Sequence, residues 1–156
     1  MKYIKDLYNK SILRLVDIKS NIFENYLKEA DDQLDIMDLM FERKYIKQAV
    51  VNAYYSMYNA LLALLFRYGI KSENHNASIF LLKHLFLKDN LFSIIENSKK
   101  ERINKQYYPN SEIVIGNVKI LMEDAREFVL RIKEIIDKTS KEDIDVVLKR
   151  FKELLK

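Results

Sequence analysis

Cysteine and tryptophan are absent from this 156-residue sequence, proline occurs once and glycine twice. Without cysteine there is no disulfide framework, no thiolate nucleophile and no thiolate-ligated zinc. Three chain-breaking residues leave few places for tight hairpins or Gly-rich phosphate loops. That argues against a β-sandwich, a Rossmann domain and a P-loop enzyme. Histidine is scarce as well: His75 and His84 are the only two. They are too few for a His-rich metal site, no nucleophile elbow accompanies them, and no Glu-x-x-His pair of a di-iron bundle occurs. No metal and no cofactor is expected.

Charge is nearly balanced. Lys and Arg number 27 against 23 Asp and Glu, a net +4 that permits an anionic partner without demanding one. Residues 1–20 carry Lys2, Lys5, Asp6, Lys10, Arg14 and Asp17, so they hold no signal-peptide core. The run Gln48–Phe66 is free of charge over 19 residues, just long enough to span a bilayer. Gln48, Asn52, Ser56 and Asn59 along it would each need a partner in lipid. A buried central helix of a cytoplasmic protein, with no membrane partner, is the expectation.

What the sequence has in abundance is helical periodicity. Phe23, Leu27, Ala30, Leu34, Met37 and Phe41 form one stripe at spacings of four and three. Val50, Tyr54, Met57, Leu61, Leu64 and Tyr68 form a second, and Val114, Val118, Leu121, Ala125, Phe128, Ile132 and Ile135 a third. Three such stripes in one chain must face one another. The expected fold is a single all-α domain, an antiparallel up-and-down helical bundle with four to five core helices. Short accessory helices are expected at about 2–19 and 141–155.

Local signals set the expected boundaries. Ser20 or Asn21 caps a first long helix to about Arg43, and a second runs from about Tyr45 to Tyr68, ended by Gly69. Residues 70–75 read as the main loop. Asn74 or Asn76 starts a shorter helix to about Lys88, which Asp89–Asn90 breaks, and another runs from Leu91 to about Tyr107. Pro109–Asn110–Ser111 is the clearest punctuation. The last bundle helix spans about Glu112–Asp137, with Gly116 inviting close approach of a neighbour. Ser140 and Asp143 then form an acidic capping box, with Ile144, Val147, Leu148, Phe151 and Leu155 inward.

Three constellations carry chemistry. Asp31, Asp35, Asp38 and Glu42 line one side of the first long helix, a self-repelling row that suits a solvated face or a basic neighbour. Asn52, Tyr55, Ser56 and Asn59 make a polar strip on the uncharged helix, read as a hydrogen-bonded contact network or the wall of a ligand cleft. Lys99, Lys100, Arg102 and Lys105 precede Tyr107 and Tyr108, and bases followed by aromatics suit a phosphate and a stacked base. His75, between Asn74 and Asn76, reads most simply as a helix-start residue.

The run AVVNAYYSMYNALLALL (Ala49–Leu65), with Gly69, Lys71 and His75 in the loop after it, resembles the HEPN domain (higher eukaryotes and prokaryotes nucleotide-binding). YLKEADDQL (Tyr26–Leu34) and DAREFV (Asp124–Val129) add to the resemblance, which covers roughly residues 22–136. The resemblance implies a helical bundle, usually a homodimer, often paired with a nucleotidyltransferase in a toxin–antitoxin-like system. It also implies a nucleotide or RNA ligand. Ribonuclease members carry an Arg followed four to six residues later by His. Here Arg102 matches the Arg, but Tyr107 stands where His is expected, and a phenol is a poor general base near neutral pH. Non-catalytic binding is therefore the expectation, with ligand contacts at Arg102, Tyr107, Tyr108, Lys99, Lys105, Asn52, Tyr55, Asn59 and His75. Two alternatives stand beside it: a weak ribonuclease using Arg102 with Tyr107, or with a substitute histidine, and a purely structural module. In some toxin members a Tyr past the motif is modified by the partner transferase, and Tyr108 lies near that position without matching its spacing.

Overall fold

A computed structural model describes residues 2–108, 110 and 112–156. Its elements are α1 (Lys2–Asn9), β1 (Leu13–Leu15), α2 (Ser20–Glu42), α3 (Ile46–Arg67), β2 (Ile70–Ser72), α4 (His75–His84), α5 (Asp89–Tyr107), α6 (Ile115–Lys138) and α7 (Lys141–Leu154). The uncharged run becomes α3, the axis of an all-α bundle, with α2, α4, α5 and α6 packed around it. Of its 22 residues 15 are buried, so it has almost no solvent face on which a charge would be needed. By length and composition α3 is the one described helix able to cross a membrane, yet 83% of its most apolar window is buried inside the bundle.

All six residues of the α3 stripe are buried. On α2 only Ala30 and Met37 are, because α2 covers one side of α3 and turns its back to solvent. On α6 the stripe is buried from Val118 to Ile132, whereas Val114 is exposed and precedes the helix. The acidic row on α2 meets bases of α6: Lys133 Nζ lies 2.7 Å from both Asp31 oxygens, and Arg126 bonds Asp38.

The ends of the elements differ from several expectations. Residues 2–19 are not one helix, because Ser11 takes a left-handed conformation (φ 58°) that stops α1. The chain then pairs β1 antiparallel to β2, Leu13 with Ser72, Arg14 with Lys71 and Leu15 with Ile70. What reads as a loop at 70–75 thus contains a strand. Val16 N donates to Gly69 O at 2.9 Å and Glu73 N to Ile12 O at 2.9 Å, extending the pairing at both ends. Gly69 itself sits at φ 71°, as the end of a helix favours.

Neither Ser20 nor Asn21 caps α2; Lys19 holds the cap position and makes no side-chain bond. Helix α4 is capped by Asn74, whose Oδ1 accepts from Ala77 N at 2.9 Å. It ends at His84 rather than Lys88, where Leu87 adopts φ 55°. Asp89 and Asn90 open α5 instead of breaking a helix, and an acidic side chain suits that end of the dipole. Helix α6 starts three residues later than expected, after Lys105 Nζ takes the carbonyl of Glu112 at 2.6 Å. Pro109 and Ser111 lie outside the described residues. Around Gly116 a Cβ would meet nothing within 4 Å, so this glycine serves no close approach within the chain. The capping box at the start of α7 is present, Asp143 N to Ser140 Oγ at 3.1 Å and Ser140 N to Asp143 Oδ2 at 2.9 Å. Val147 and Phe151 of α7 are buried, and the Phe151 ring meets Tyr8 of α1 edge-on at 5.9 Å.

Candidate functional site

Helix α3 places Tyr54, Tyr55 and Tyr58 near the start of α4. His75 is the first residue of α4, held at a fixed distance from α3 because Asn74 caps the helix beside it. The Tyr54 hydroxyl lies 2.6 Å from His75 Nδ1, and the Tyr58 ring stacks on the imidazole with centroids 3.8 Å apart. Behind them Tyr58 OH approaches Ser78 Oγ at 3.4 Å, and Ser78 Oγ lies 2.9 Å from Ser72 Oγ. Helix and strand ends are thereby tied to one aromatic wall.

The opposite side comes from α5. The guanidinium of Arg102 lies 4.8 Å from the Tyr54 ring centre and 5.7 Å from that of Tyr55, within cation–π range. Its Nη1 donates to Tyr55 OH at 3.4 Å and to Gln106 Oε1 at 3.2 Å. Among the described residues Arg102 Nε is buried without a partner, as is Ser98 Oγ one turn earlier. Lys99 bonds the Asn76 side chain. Arg102 offers a planar fork of donors suited to phosphate.

The electrostatics follow from this placement. Burial, then the charges of Arg102 and Lys99, hold the His75 imidazole below its ordinary range. Burial pushes the Tyr54 phenol up and outweighs the opposing charge of Arg102, so the phenol keeps its proton. A fixed cation, a second cation and a neutral imidazole thus share one polar, aromatic-backed patch.

Of the residues singled out in the sequence, the structure gathers Arg102, Lys99, Tyr55 and His75. Lys105 turns toward α6, near Glu101 at 3.7 Å and bound to the Glu112 carbonyl. Tyr107 and Tyr108 are 64% and 61% exposed at the end of α5, outside the ring contacts that join the cluster among the described residues. Asn52 is engaged by Gln33 at 2.7 Å and Gln48 at 3.1 Å, and Asn59 by its own helix at Tyr55 O, 2.9 Å. His84 stacks on Phe80. Tyr54 and Tyr58 belong to the site although Tyr54 reads as a core residue. The signal for them is three tyrosines at i, i+1 and i+4 within the charge-free stretch Gln48–Phe66 of α3.

Fold and patch together define an all-α bundle whose central helix backs a basic, aromatic cluster. The chain belongs to the HEPN family: the family model for the HEPN domain matches residues 23–155. That span takes in α7 as well as α2 to α6. A search of curated proteins returns no significant match.

Proposed function

We propose that the chain is a non-catalytic HEPN module that binds the phosphate of a nucleotide or an RNA strand at the Arg102 cluster. The observation that carries this reading is Arg102 itself, clamped over Tyr54 and Tyr55 with Nη2 unengaged among the described residues. Lys99 supplies a second positive charge, and Tyr55 a hydroxyl at the rim. Tyr107 in place of the motif histidine argues for binding without cleavage. Titration with AMP, ATP and short RNA is the test. Arg102→Ala is expected to weaken binding by about tenfold to a hundredfold, the loss of a charge-assisted bond, and Arg102→Lys to restore it only in part. Equal affinity of wild type and Arg102→Ala overturns the assignment of the site.

One observation favours a second reading, a weak metal-independent ribonuclease, since His75 lies in the same cluster as Arg102. RNA left intact by the purified protein excludes it. Homodimer formation belongs to the proposal and is supported by family membership, as is a nucleotidyltransferase partner. Exposure of Tyr107 and Tyr108 leaves both within reach of such a partner. Light scattering at micromolar concentration is expected to give twice the chain mass; a monomer refutes the dimer.

A further inference from the structure

The Tyr54 hydroxyl is fully buried, and its one hydrogen-bonding partner among the described residues is His75 Nδ1. A phenol carries a single proton. If Nδ1 held a hydrogen and donated it, the phenolic proton would be buried with no acceptor, an arrangement folded proteins avoid. The phenol therefore donates, Nδ1 accepts, and a neutral imidazole must carry its hydrogen on Nε2. Tyr58 stacked on one ring face and the edge of Tyr55 against the ring hold its orientation. Nε2 has no partner among the described residues and is not among the buried unpartnered atoms, so it opens to solvent.

The charged and titratable groups around the ring are few. From α3 come Tyr54, Tyr55 and Tyr58; from α5 come Lys99 and Arg102, with Glu96 acting on Tyr54. Glu73, at the end of β2, is engaged by Arg14 at 3.0 Å and Lys71 at 3.1 Å. Burial comes first in holding the imidazole neutral, and the two cations add to it, with no free carboxylate facing the ring among the described residues. We propose that His75 is a fixed neutral hydrogen-bond donor, presenting Nε2–H to a phosphoryl oxygen held beside Arg102 and Lys99. The inference rests on the phosphate-binding reading above and gives His75 its atom and its role. With its hydrogen on Nε2, His75 has no lone pair there to take a proton from a ribose hydroxyl. It binds the ligand and does not replace the missing general base.

The test uses the full chain labelled with 15N at histidine, with His84→Gln to assign the two rings. Long-range 1H–15N spectra are expected to show Nδ1 unprotonated and Nε2 protonated from pH 8 down to below the ordinary histidine range near 6.5. Adding AMP, or a short single-stranded RNA, is expected to shift the Nε2 resonances; the two arms separate a phosphomonoester from a diester. Tyr54→Phe keeps the ring under Arg102 and removes the donor. Its spectra are expected to show a mixture of the Nδ1–H and Nε2–H tautomers where wild type shows Nε2–H alone. A hydrogen on Nδ1, a midpoint at or above 6.5, or ligand binding that leaves Nε2 unmoved overturns the inference alone. If neither probe binds, the phosphate-binding reading falls and the ligand role of His75 with it, whichever tautomer is seen.

Discussion

Phe151→Ala is expected to destabilise the protein by about 3–5 kcal/mol, the range for truncating a buried aromatic. The side chain has no exposed surface and meets Tyr8 edge-on, so its removal leaves a cavity where α7 joins α1. Neighbouring ties limit collapse into that space. Arg150 donates to Leu85 O at 2.9 Å, and Arg67 donates to Thr139 O at 2.9 Å just before α7. Urea unfolding followed by circular dichroism measures the change, and Phe151→Leu, which keeps most of the volume, should cost under about 1.5 kcal/mol. A loss below 1 kcal/mol for the alanine variant would show that α7 is a loose appendage rather than part of the bundle.

Gly69→Ala should cost about 2–3 kcal/mol, from a left-handed conformation unfavourable to L-residues and from a collision. At φ 71° the new Cβ would stand 2.9 Å from Val16 O. That oxygen is backbone, and Val16 N is bonded to Gly69 O, so relief requires shifting the β1–β2 ribbon. The urea midpoint is expected to fall with an unchanged slope. A midpoint equal to wild type would show that the ribbon yields freely.

Both predictions concern places where sequence and structure inform each other unequally. The α3 stripe was legible because periodicity and an uncharged composition say the same thing. The capping box at Ser140 was legible because its two partners are three residues apart. Ser20 offered the same chemistry, but the chain enters α2 one residue earlier, at Lys19. Strands of three residues carry no period to detect, and β1 pairs with a segment nearly sixty residues away, a relation no local signal holds. The site divides in the same manner. Arg102 and Lys99 were legible from charge density, but Lys105 lies about 120° around the helix from Lys99 at 3.6 residues per turn and serves α6. The bond from Tyr54 to His75 joins residues 21 apart through a ring contact, which only the fold discloses.

The acidic row on α2 has a consequence for how uniquely α6 is seated. Asp31 and Asp38 are occupied by Lys133 and Arg126, while Asp35 and Glu42 have no ion pair among the described residues. In these antiparallel helices, sliding α6 by one turn, about 5.4 Å, would bring Arg126 to Glu42 and Lys133 to Asp35. The charges would be satisfied equally well in either seat, and partly exposed pairs contribute only about 0–1 kcal/mol each. Choice between the two seats thus falls to the apolar seam where α6 packs on α3, in which Leu121, Ala125, Phe128 and Ile132 are buried.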